Sequence, residues 1–218
     1  MALTLPSFLQ PRPLPTPSFL ASAVAWVSPD ATGDEIDFTM LHQEATNWCW
    51  AAVTQAVLFY LDENRFIKQA RIATDHIRRT QPNITCVADQ GEVAGGTCDN
   101  VCNKPCNGFH KVRVVIQENG VEVGVLRAES PVRFEDVVSE IGRRRPVVCR
   151  IAYEDSSGHF VCLTGWRVRG GVRSVRVHDP RAGSLGRKVP SSWLTLDEFI
   201  HYSAGGAAGL NNYSYRVG

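Results

Sequence analysis

Between Trp48 and Leu61 the apolar residues Val53, Ala56, Val57, Tyr60 and Leu61 recur at helical spacing, which predicts a helix with one buried face. Thr46 or Asn47 can cap its start. A second helix is expected over RFIKQARIATDHIRRT, stopped near Pro82. After a Gly- and Asn-rich stretch, KVRVVIQ alternates in strand fashion and RFEDVVSEIGRR reads as a short amphipathic helix. The last third differs in kind: PVVCRIAY, HFVCLTGWRV, VRSVRVHDP and NNYSYRV all read as strands. Helices first and sheet later predict an α+β protein of two lobes. Before residue 18 the chain carries five prolines and no basic n-region, so residues 1–34 read as a flexible leader or linker. Residues 35–218 form the folded domain.

Composition narrows the function. With 23 basic against 22 acidic residues in 218, the formal charge is +1. Nucleic acid and acidic membranes gain no support as partners from that balance. No apolar run approaches the roughly 20 residues that span a bilayer, so no membrane segment is expected. A monomer acting on its own fits these features. The seven cysteines are an odd number, which flags one thiol as reactive. Cys86, Cys98, Cys102 and Cys106 share one Gly-rich loop. Two disulfides suit an exported chain there, and a zinc site is the alternative. Cys149 and Cys162 lie in strands and read as small buried hydrophobes.

The chemistry concentrates in HQEATNWCWAAVTQAV, residues 42–57. Cys49 opens a helix, where the dipole favours a thiolate. A nucleophilic thiol needs a histidine base and a group that orients it. His159 opens the strand HFVCLTGW, which returns through RVRGGVRS into VRVHDP. A hairpin loop of three to five residues sets His159 directly across from Asp179. The same register pairs Val161 with Val177 and Leu163 with Val175 on one face. His178 is sent to the other face. Gln43 supplies an amide that can hold a developing oxyanion beside the Cys49 N–H. Trp50 and Trp166 are candidates to shape a substrate groove, or to pack between lobes.

These residues resemble the papain-like cysteine proteases, in particular their compact bacterial branches, which include secreted effectors of plant pathogens. Gln43 matches the oxyanion glutamine, Cys49 the nucleophile and Trp50 the aromatic that follows it. His159 matches the base within a His, five residues, Gly, aromatic pattern. Asp179 stands where papain has Asn. Asn47 and Trp48 replace the small residues usual before the nucleophile. The resemblance implies a helical left lobe led by the Cys49 helix and an antiparallel right-hand sheet that carries His159 and Asp179. It further implies a protein or peptide substrate, no metal, no cofactor, and secretion or translocation from a bacterium, with a cytoplasmic location as alternative. A deamidase or transamidating toxin using the same residues, or a catalytically silent binding module, are the competing readings.

Overall fold

The computed structural model describes residues 32–81, 108, 110–204 and 207–218. Most of the proposed leader and the four cysteines of the Gly-rich loop lie outside the described residues. The leader's last three residues belong to the body: β1, Thr32–Glu35, pairs antiparallel with residues 165–168.

Helix α1 spans Cys49–Leu61, with Ala51, Val53, Val57 and Leu58 fully buried. Helix α2, Gln69–Thr80, begins later than its apolar pattern suggested and turns Ile72, Ala73 and Ile77 inward. KVRVVIQ is not a strand. It forms α3, Val112–Glu118, because Val112, Val115 and Ile116 bury at i, i+3 and i+4 against α1 while Arg113 and Gln117 stay exposed. β2 follows at Val123–Ala128, and α4 at Phe134–Gly142 roots itself with Val137 and Ile141. Asp136 closes a ring of bonds at the start of α4, accepting from the Arg133 N–H and from the Arg127 guanidinium.

The sheet is then built from β3, Val147–Tyr153, β4, Gly158–Arg169, β5, Val172–His178, and β6, Ser191–Thr195. A short helix α5, Leu196–Ile200, leads into β7, Ser203–Ala204, and β8, Ala207–Val217. The order is β2-β8-β3-β4-β5-β6, with β1 pairing to β4 and β7 to β8. The latest strand in the chain thus lies between β2 and β3. Every pairing is antiparallel. This is a mixed α+β architecture, as the sequence predicts.

The β4–β5 hairpin closes more tightly than expected. Arg169 pairs with Val172 around Gly170 and Gly171 alone. Both glycines have positive φ, +54° and +77°, the signature of a two-residue hairpin turn. A bulge between Leu163 and Gly165 then shifts the ladder, so Leu163 faces Val177 and Cys162 faces His178. Glycine is required at the bulge, since a Cβ at Gly165 would lie 2.9 Å from the Glu35 Cβ. The predicted register is therefore corrected by two residues. The apolar stripe survives, because a shift of two keeps every side chain on its face.

Candidate active site

Cys49 is the first residue of α1 and only 2% exposed. The opening N–H groups of a helix have no partner within it, so they and the dipole favour negative charge at that end. His159 lies on β4 next to Ile151 of β3 and is fully buried. Its Nε2 meets Asp179 Oδ1 at 2.6 Å. Nδ1, also buried, makes no hydrogen bond of full geometry, yet the ring couples to the Cys49 thiol. Contacts of this kind often tighten only when substrate enters.

The electrostatics of the three groups interlock. Burial works to raise the Cys49 pKa, but the bond to His159 and its positive charge outweigh it, and the thiol is net more acidic than usual. Burial likewise works to lower His159. The bonds to Asp179 and Cys49 prevail and lift the imidazole to about 9. Asp179 is held below the usual carboxylate range: the His159 contact and donors from Arg181 and Tyr202 overcome its burial. These directions shift the pair toward a thiolate beside an imidazolium.

Asp179 sits just beyond the end of β5, in a turn closed by the Ala182 N–H donating to the Asp179 carbonyl. Oδ1 also accepts the Arg181 N–H at 2.8 Å, and Oδ2 accepts the Tyr202 hydroxyl at 2.9 Å. Neither partner was singled out from the sequence. The next residue, Pro180, accepts the Gln43 N–H at 2.8 Å, so the same turn anchors the segment before Cys49.

Gln43 is buried, with 5% exposure. Both hydrogens of its Nε2 are taken, by the Ala45 carbonyl at 2.8 Å and the Thr46 carbonyl at 2.5 Å. Its Oε1 is buried without a partner. The segment is fixed from below by a chain of glutamines: Gln69 accepts the Glu44 N–H and donates to the His42 carbonyl and to Gln55. Gln69 is fully buried and Gln55 nearly so. A polar letter at a helix start gave no sequence signal for that role.

Trp50 and Trp166, expected to shape a groove or to pack between lobes, each pack against neighbouring rings. Trp50 is 1% exposed, donates from Nε1 to the Gly108 carbonyl, and packs on His110 at 4.7 Å and His76 at 5.6 Å between ring centroids. His76 in turn bonds Glu118 and His110. Trp50 therefore ties α1 to α2 and the segment before α3. Trp166 lies seven residues along β4 from His159, about 23 Å at strand rise, and stacks edge-on against Phe134 of α4. His178 faces the other way, as the alternation requires, with its ring against Phe38 and its pKa lowered to about 4 by burial and Arg176. Cys149 and Cys162 are buried free thiols, and burial drives both well above the usual range. Among the described residues no cluster of His, Cys, Asp or Glu could hold a metal.

A family model described as papain-like cysteine protease AvrRpt2 matches residues 32–201. No curated protein matches the chain by sequence. Among solved structures, a chain from a study of antibody cross-reactivity between the mite allergens Blo t 1 and Der p 1 is 17% identical, with a TM-score of 0.45. That match covers 83% of this chain and 67% of the other.

Proposed function

Because this chain belongs to the Peptidase C70 family of papain-like cysteine proteases, we propose that it hydrolyses peptide bonds with Cys49 as nucleophile, His159 as base and Asp179 as the group that orients it. The observation that carries the reading is the 2.6 Å contact of His159 Nε2 with Asp179 Oδ1, in a ring whose charge acidifies the thiol at the start of α1.

The Cys49 thiolate attacks the substrate carbonyl carbon, and the C=O electrons move onto oxygen. The resulting oxyanion is met by the Cys49 N–H and by Gln43, whose Nε2 exchanges one loop carbonyl for it. His159 gives its proton to the leaving amine as the C–N bond breaks, forming the acyl-enzyme. Water, deprotonated by the now neutral His159, attacks that thioester and releases the acid. No step calls for a metal or an organic cofactor. The substrate is a protein or peptide, and the enzyme acts as a monomer after export from a bacterium. Among the described residues no helix is long and apolar enough to cross a membrane.

The test is the pH dependence of Cys49 alkylation by iodoacetamide, located by peptide mass spectrometry, in wild type and His159→Ala. Rapid labelling at pH 5–6 that disappears with the histidine supports the pair. Labelling only above about pH 8 in both proteins would mean an ordinary thiol and sink the mechanism. Product mass then separates the reactions that share this chemistry: cleavage divides the substrate, deamidation adds about one dalton, and transamidation adds the amine.

A further inference from the structure

Asp179 carries a donor that the three-residue mechanism leaves without a task. Oδ1 serves His159 and the Arg181 N–H, while Oδ2 takes the Tyr202 hydroxyl at 2.9 Å. The chain delivers that hydroxyl with some care. Thr195 caps α5 by accepting the Glu198 N–H at 3.2 Å, and Glu198 accepts the Thr195 N–H at 2.8 Å in return. Phe199 is fully buried and roots the helix turn. The Tyr202 N–H then bonds the Phe199 carbonyl at 3.2 Å, and the residues immediately after pair with β8. Tyr202 is thus fixed on both sides along the chain.

We infer that Tyr202 is a positioning residue for the His159–Asp179 pair: by engaging Oδ2 it fixes the plane of the Asp179 carboxylate, so that Oδ1 stays with Nε2 and the ring keeps Nδ1 toward Cys49. The inference rests on the mechanism proposed above. The torsion that turns a carboxylate about its own axis is broad and roughly two-fold, so donors on one oxygen alone leave the plane loosely set. A donor on the second oxygen sets it. The phenol moves no proton, because burial and the Asp179 charge push its ionisation well above the usual tyrosine range and keep it a donor. The ionisable groups facing Asp179 are His159 from β4, Tyr153 from β3, Arg181 on its own turn and Tyr202, with Cys49 beyond the imidazole.

The experiment needs no substrate. Iodoacetamide labelling of Cys49 is followed from pH 4 to 9 in wild type, Tyr202→Phe, Asp179→Ala and the double variant, with a thermal melt of each. Phe keeps the ring and its packing on Phe199, so the fold is retained. The expected result for Tyr202→Phe is labelling about tenfold slower at pH 5 and a profile displaced to higher pH, with the melt little changed. In the Asp179→Ala background the same substitution should add nothing. A Tyr202→Phe profile that superimposes on wild type, or a lower melting temperature with the profile unmoved, overturns the inference. An Asp179→Ala profile that superimposes on wild type overturns the mechanism beneath it instead.

Discussion

His159 and Asp179 meet on a diagonal. The β4–β5 ladder last pairs Cys162 with His178, and one further step sets Asp179 beside Val161, two residues from His159 on the same face. Diagonal neighbours are farther apart than opposed ones but within reach of long side chains, and the 2.6 Å bond closes the distance. The carboxylate thereby approaches from beyond the strand end, where Oδ2 remains open to Tyr202.

That approach predicts a graded response at residue 179. In Asp179→Asn the amide oxygen can still take Nε2 while its nitrogen faces the Tyr202 oxygen, so geometry is kept and only charge is lost. Asp179→Ala loses both. We expect the Asn variant to keep about tenfold more activity than the Ala variant. Removing the negative charge disfavours the imidazolium, so the pH above which His159 loses its proton, about 9 with Asp179 in place, should fall, and the alkaline limit of activity with it. A limit that moves up or stays put would contradict this.

Stability should carry the same signature. The folded His159 is raised from 6.5 to about 9, so its contribution is complete below pH 6.5 and is lost as pH rises through about 9. Melts between pH 6 and 10 should fall more steeply for wild type than for His159→Gln. Parallel curves would mean the imidazolium is not what the folded state stabilises.

The three described thiols should separate cleanly. Cys49 labels in the native protein at neutral pH, while Cys149 and Cys162 stay unlabelled until denaturant is added, since burial holds both as thiols. Native labelling of Cys149 or Cys162 at a comparable rate would refute the assignment of the odd reactive cysteine.

Gln43 tests the oxyanion assignment. Gln43→Ala should lower kcat by about 10²–10³ with KM nearly constant. If the amide only braces the loop through the Ala45 and Thr46 carbonyls, melting temperature and KM will change along with kcat.

Trp50 should prove structural. Trp50→Ala removes a fully buried ring and leaves the Gly108 carbonyl without its donor, a loss of about 3–5 kcal/mol in denaturant unfolding. Trp166→Phe, far along β4 from His159, should leave labelling of Cys49 unaltered.

The Cys49 helix was legible because its apolar spacing is helical over several turns. His159 and Asp179 were legible because alternation assigns faces even when the register is two residues out. KVRVVIQ misled because a short run rich in β-branched residues fits both periods, and only packing against α1 selects the helix. Gly170-Gly171 carries the two-residue hairpin signal outright, which makes the turn tighter than the three to five residues expected. Gln69, Gln55 and Tyr202 could not be read at all. Their roles lie in bonds to backbone and carboxylate groups distant in the chain, and a polar letter does not say what it faces.

The insertion of β8 between β2 and β3 has a bearing on timing. A chain halted before residue 207, whether on the ribosome or threading through an export pore, leaves β3 with a bare edge. That strand flanks the one carrying His159. The pairings that cover the edge join segments far apart in the chain, the slow kind to form. An enzyme stitched in this order cannot complete the sheet beside His159 until β8 has been inserted between β2 and β3.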